Sequence, residues 1–358
     1  MKMGETPRLL TRTTPDGGEL RFSPFAENGE QWLKFAAQVP DATLYHRRLW
    51  VELLRAAHGI NIQVATLEYG SEPVAGCLFA RPARPFARRL ISLPDSERCG
   101  PLAKDEESGD AFLSALASHP RARAGFEIHG AAGPPAPWET VDTFARWTVE
   151  MQRPLDKLHQ ALDRDVRRNM RHAAEAGITV EWGHSLEYLR RFYRLHLDTR
   201  RRLGVPPRPF RYFKLLHQIF SRTGDLSVWI ARLRDSDLAG LVMLQDDDTL
   251  YAKMNARSID CPNGANHLMF VSAMDEFAGR VRHWDLGRVD IRNRGLRDFK
   301  KRLGATSTPL PYAYFPRAPR NISSEVLSGP TQILSQAWRR LPLWTTRVLG
   351  TVVYGFLV

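Results

Sequence analysis

Apolar residues recur at every third or fourth position in two early stretches, "NGEQWLKFAAQV" and "LYHRRLWVELLRAAHG", which predicts helices with one buried face. The pattern then shortens to strand-like bursts, "NIQVATLEY" and "VAGCLFA", on either side of the turn "GSEP". After "RRLISLP" come a loop, "DSERCGPLAKDEESGD", a short helix around "AFLSALASH", a strand "GFEIHG", a Pro/Gly loop and "FARWTVEM". The second half repeats this order. A basic helix, "ALDRDVRRNMRHAAEAG", leads into "ITVEWG", and a second helix, "LEYLRRFYRLHLDTRRRLG", follows. "LSVWIARL", "LAGLVMLQ" and "TLYAKMNA", separated by "RDSD" and "DDD", predict a three-stranded meander. The helix "LMFVSAMDEFAGRV", the strand "HWDLG", a helix around Lys300 and the strand "PLPYAYF" complete the unit.

The pattern divides into a loose polar lead-in (1–21), a first unit (22–155), a second unit (156–318), and a linker with an apolar C-terminal helix (319–358). "HGINIQVATLEYGSEPVAG" and "TGDLSVWIARLRDSDLAG" share a Gly before a strand, an Ala-x-Leu within it, a polar turn and Ala-Gly in the next strand. An internal duplication accounts for this; so does the general similarity of β-hairpins.

The length of 358 residues suits two domains, and 43% apolar residues suffice for sizeable cores. A net charge of +12 admits nucleic acid, acidic membrane surfaces or phosphorylated substrates without choosing among them. Only eight of the 51 basic residues are lysine, an arginine bias that weakens charge as evidence for a nucleic-acid partner. Cys77, Cys99 and Cys261 are scattered, with no zinc spacing, so no metal site is expected and a reduced, cytoplasmic setting is. Neither a signal peptide nor an apolar run long enough to span a bilayer is legible. The uncharged tail 348–358 is expected to dock on the protein or to lie on the inner membrane face. Nucleophile-elbow, Walker A and dinucleotide fingerprints are absent from the sequence.

Placed on a helix, Leu296, Phe299 and Leu303 share one face, and Lys300 lies about 40° from Leu296, bordering that face, while Lys301 points to solvent. Lys300 is therefore turned inward, either toward a cleft or as a snorkelling stem. In "HWDLG", His283, Asp285 and Gly287 share one strand face, which leaves Asp285 as a base or as an ion-pair partner for Arg288. Arg200, Arg201, Arg202, Arg208 and Arg211 form a cluster suited to phosphate, or a solvated basic surface. Arg167, Arg168 and Arg171 are expected on an exposed helix face.

The order helix, meander, loop, helix, strand, helix, strand is similar to the GNAT acyltransferase fold, and two such units in tandem resemble the FemAB family and its acetyltransferase-like relatives found among envelope-polysaccharide genes. The resemblance covers roughly residues 22 to 316. It rests on "ISLPDSERCGPL", "RRNMRHAAEAGITV", "FYRLHLDTRRRLGVPPRPFRYF", "LAGLVML" and above all "WDLGR … GLRDFKKRLGA". The family's aromatic before the last Gly is Leu303 here, which argues against close kinship to the peptidoglycan-modifying members.

The resemblance implies an α/β (α+β) fold of two GNAT-like units, each a mixed sheet flanked by helices. It implies an N-acyltransferase working by direct attack of an amine on a bound acyl donor, with Lys300 and Asp285 as catalytic candidates. "CPNGANHLMF" occupies the place of a Gly-rich pyrophosphate turn, making Gly264, Asn266 and His267 the donor-binding candidates; Asn266 as a helix N-cap is the alternative. Arg288, Arg200, Arg208 and Tyr251 are the substrate-binding candidates. No tightly bound cofactor is expected. The implied co-substrate is acetyl-CoA or another acyl-CoA, with aminoacyl-tRNA, and hence a tRNA partner, as the other donor. The implied acceptor is an amine on an envelope glycan or its lipid-linked precursor. A degenerate GNAT pair serving as a scaffold in polysaccharide assembly is the competing expectation, and an RNA-binding module, resting on charge alone, is a third.

Overall fold

The computed structural model describes residues 11–319 apart from 15–16, 83–87, 132 and 263, together with Trp338, Arg339 and Thr346. Most of the expected C-terminal helix thus lies outside the described residues. The described chain forms two compact units, one built from the residues up to Thr143 and from those between Leu310 and residue 319, the other from Phe144–Pro309 with Trp338, Arg339 and Thr346.

The first unit opens with strands β1 (Thr11–Thr13) and β2 (Glu19–Pro24), helices α1 (Phe25–Ala36) and α2 (Arg48–His58), and the hairpin β3 (Ile62–Tyr69) and β4 (Glu72–Ala80). Short strands β5 (Leu90–Ile91) and β6 (Leu102–Ala103), helix α3 (Glu106–Ser118) and strand β7 (Phe126–His129) follow. The stretch expected as a loose lead-in, 1–21, therefore contains β1 and the start of β2. Leu20 and Phe22 alternate inward from β2 and lock it onto β3. Phe22, Phe79, Phe112, Phe126 and Trp138 lie in the core. His46 is buried between the Thr43 amide, which donates to Nδ1 at 3.0 Å, and the Gly100 carbonyl, 3.0 Å from Nε2. Burial pushes its pKa down to about 4, so it is held neutral.

Strand β8 (Glu139–Glu150) carries the chain into the second unit. There α4 (Leu155–Ala161) and α5 (Arg164–Glu175) precede β9 (Ile178–Gly183), α6 (Leu186–Leu203) and α7 (Phe210–Phe220). The meander β10 (Leu226–Leu233), β11 (Ser236–Asp246) and β12 (Thr249–Arg257) leads to α8 (Ala265–Phe277), β13 (His283–Asp290), α9 (Arg294–Arg302) and β14 (Thr306–Phe315). Its sheet runs β8-β13-β12-β11-β10-β9, antiparallel except for β12 beside β13. Ala239, Leu241 and Met243 point from β11 into the core formed with α5 and α8, whereas Gly240 faces the Phe192 ring of α6.

The two hairpins that look alike in sequence share construction detail. Each breaks register two residues before its turn, at Leu67/Glu68 and at Ala231/Arg232. Each also carries a glycine where a helix ring lands, Gly76 under Trp32 and Gly240 under Phe192. A Cβ at either glycine would sit within 3.1 Å of that ring.

Candidate active site

The parallel ladder between β12 and β13 holds three pairs, Thr249↔His283, Leu250↔Trp284 and Tyr251↔Asp285. Beyond the last pair β12 continues to Arg257 on β11, and β13 continues to Asp290 on β8. The strands thus form a fork with Tyr251 and Asp285 at its vertex. Both strands are irregular just past that point. On β12, Met243 pairs with Ala252 and Val242 with Met254, leaving Lys253 as the extra residue of a bulge. On β13 the register shifts between Asp285 and Arg288, and Gly287 takes φ +83°, a conformation that glycine adopts without strain.

Two charged side chains clamp that glycine. Asp285, 6% exposed, accepts the Gly287 N–H at Oδ1 (2.7 Å) and Nε of Arg146 at Oδ2 (2.6 Å). Lys300, 6% exposed on α9, donates from Nζ to the Gly287 carbonyl at 2.9 Å, with the Arg288 carbonyl at 3.5 Å. The carbonyl that the irregularity turns out of the ladder is satisfied by the ammonium, as burial requires. Helix α9 is fixed for this by Asn293, whose side chain accepts the Leu296 N–H, and by Phe299, edge-on to Phe270. Leu303 is fully buried. The Asp285 carboxylate lies on Arg146, while the Arg288 guanidinium covers the Phe144 ring at 4.6 Å.

At the N-terminus of α8, Gly264 is the N-cap residue, with φ +106° and no side-chain cap. A Cβ there would fall on the Asn169 carbonyl of α5, so close helix packing by itself requires this glycine. Asn266 is not the N-cap; its Oδ1 accepts from Nδ2 of Asn255 on β12 at 2.9 Å. The first-turn amides of α8 are consequently not met by a cap side chain, and the basic helix α5 packs alongside. The His267 ring stacks on Phe299, the residue before Lys300; burial first, then Arg302, lowers its pKa.

The remaining substrate candidates lie elsewhere or are engaged. Tyr251 is buried at the fork vertex. Arg200 donates from Nε to the Pro206 carbonyl, and the Arg208 guanidinium covers the Tyr212 ring while its backbone N–H meets Nε2 of His196. These contacts belong to the α6–α7 corner, and none of them reaches the fork. Arg201 and Arg202 likewise donate to carbonyls, of Arg339 and Ser258. Sequence reasoning missed Arg146, Lys253 and Asn255. Arg146 lies 139 residues from its partner and has no local signature. The Gly within "HWDLGR" did carry a signal, because an isolated glycine in a strand marks a bulge. Among the described residues there is no cluster able to hold a metal ion, and no helix is long and apolar enough to cross a membrane.

Comparison with known proteins fits this geometry. Residues 160–301 match the family model described as an acetyltransferase (GNAT) domain. Comparison with curated protein sequences gave no match. Among solved structures, the crystal structure of FemX aligns with TM-score 0.60 and 14% identity over 87% of this chain and 98% of that one. The C-terminal domain of a candidate lysylphosphatidylglycerol synthetase from Agrobacterium fabrum aligns with TM-score 0.55 and 13% identity, covering 82% of this chain and 93% of that domain. L-PGS from Bacillus licheniformis gives 0.52 and 13%, over 87% and 97%. At these identities the structural matches speak for the fold, and the family model for the activity class. Residues 160–301 thus carry a GNAT acyltransferase domain, in a chain whose fold is similar to that of FemX.

Proposed function

We propose that the fork between β12 and β13 is an N-acyl transfer site that moves an acyl group from acyl-CoA to an amine on an envelope glycan or its lipid-linked precursor. The observation that carries the reading is the short ladder, which leaves the facing edges of β12 and β13 without a shared partner beyond Tyr251 and Asp285. An extended acyl-pantetheine arm is the kind of ligand that such edges accept. The α8 amides, uncapped by any side chain, and the basic helix α5 suit the phosphates of the donor. In the reaction the amine nitrogen forms a bond to the thioester carbonyl carbon, the carbon–sulfur bond breaks, the amine loses one proton, and CoA leaves as the thiol. Backbone donors along the bulged edge of β12 are suited to the oxyanion that develops on the carbonyl.

In this reading Lys300 and Asp285 act as positioning residues. They hold both polar groups of the Gly287 peptide positions and so fix the shape of the fork. An acceptor carried on a lipid would bring the protein to the inner membrane face, in keeping with the lipid-synthetase neighbours in fold. The test is release of free CoA thiol from acetyl-CoA, and from longer acyl-CoAs, with glucosamine and amino-sugar nucleotides as acceptors. Amine-dependent release supports the reading; release from none of them, with transfer from aminoacyl-tRNA instead, replaces the donor. A second reading, a scaffold without chemistry, is favoured by the internal engagement of Asp285 and Lys300 and by the single glycine before α8. It predicts neither transfer.

A further inference from the structure

A cavity of about 220 Å³ lies at the other end of α8 from the fork. The 13 residues of α8 put roughly 20 Å between its two termini. The cavity is bounded by the ends of β9, β10 and β11 and by the last turn of α8. Its wall is Trp182, which remains 44% exposed, an uncommon state for so large an apolar side chain. The indole does not float. Its ring stacks on the buried Trp229 at 5.5 Å and 17°, and Trp229 in turn abuts Phe277. A rigid aromatic face is therefore presented to the cavity.

Asp225, Gln245, Glu276, Arg280 and His184 line the same cavity. Glu276, in the last turn of α8, pairs with Arg280 just beyond the helix, and Gln245 donates from Nε2 to the Asp247 carbonyl at 3.2 Å. Apart from His184, the lining sets two carboxylates against one guanidinium, inside a chain of net charge +12. That balance disfavours phosphate, nucleotide and acidic-lipid ligands.

Size narrows the choice further. A cavity of roughly 150 Å³ takes up benzene, whereas drug-sized ligands need about 300 Å³ or more. The space here suits one six-membered ring with substituents. An aromatic wall for C–H groups, together with carboxylate, amide and guanidinium groups for hydroxyls, is the chemistry that recognises a pyranose. We infer that this cavity is a saccharide-binding site, separate from the fork, that takes one neutral or amino-substituted sugar ring with its face on Trp182.

The site is tested without any acyl donor, so its failure and that of the acyl-transfer reading are independent. Saturation-transfer NMR on the full chain would use glucose, galactose, glucosamine and N-acetylglucosamine as probes, with glycerol as a non-ring polyol. At least one sugar should show saturation, should quench tryptophan fluorescence, and should lose tenfold or more in affinity in Trp182→Ala. Glu276→Gln, at a half-buried position in the last turn of α8, should weaken the same sugar several-fold with little change in the melting curve; it decides the matter if Trp182→Ala unfolds. Silence from every sugar, an equal response to glycerol, or wild-type binding by a folded Glu276→Gln and Trp182→Ala pair would overturn the assignment.

Discussion

Replacing Lys300 by methionine isolates the work of one ammonium. Methionine keeps an unbranched apolar stem in the same buried slot, so packing changes little. What disappears is the donor 2.9 Å from the Gly287 carbonyl, and with it the longer contact to Arg288. A hydrogen bond to a charged group contributes about 1.5–3 kcal/mol, and an orphaned buried carbonyl costs about 1–3 kcal/mol. These overlapping measures put the destabilisation at roughly 2–3 kcal/mol, and a unit of this size loses about 2–4 °C of Tm per kcal/mol. The expected drop is thus about 4–12 °C by calorimetry on the full chain. Because Gly287 shapes the fork, transfer should also fall through kcat, with the donor KM little changed. A variant that melts within a degree of the wild type would show that the ammonium does not hold the bulge, and the clamp argument would fail.

Other perturbations probe separate contacts. Asp285→Asn strips the partner from a mostly buried Arg146 and should cost about 3–5 kcal/mol, toward the lower end because a fifth of the Arg146 side chain stays in water. Urea unfolding of both single variants and of the double variant with Arg146→Met should reveal their coupling. Gly264→Ala combines a forced positive φ with a collision at Asn169, and a loss of about 2–4 kcal/mol or failure to fold is expected in denaturant titration. His46 titrates near 6.5 when unfolded and at about 4 when folded, because burial disfavours the imidazolium. Between those values the unfolded state binds more protons. Stability is therefore full above pH 6.5 and falls as pH drops toward 4, by about 3 kcal/mol in all. His46→Gln should flatten that slope in a pH series of melts.

Much of this was legible because the relevant forces are local. Periodicity placed Leu296, Phe299 and Leu303 on one face and turned Lys300 inward, and the ammonium is indeed buried. Alternation and turn residues placed the meander of β10 to β12. Two things were not legible. The fork is a relation between two strands whose paired residues are 34 positions apart, and its short ladder depends on bulges at Lys253 and near Gly287 that no residue pattern states outright. Nor does residue type say why a glycine is needed. Gly264 looks like a phosphate-loop residue in sequence, yet its packing against Asn169 suffices to demand it. The arginine cluster shows the same limit, since Arg201 and Arg202 reach for the backbone carbonyls of Arg339 and Ser258, far away in sequence.

The central claim is that the acyl donor lies along the open edge of β12 with its phosphates on α8. Hydrogen exchange on the full chain, with and without acetyl-CoA, addresses it directly. The account predicts slowed exchange at the amides of 252–257 and of Asn266 and His267, persisting at moderate salt, with the cavity beside Trp182 unaffected. Protection confined to the α6–α7 arginines, or none in either segment under saturating acetyl-CoA, would contradict it.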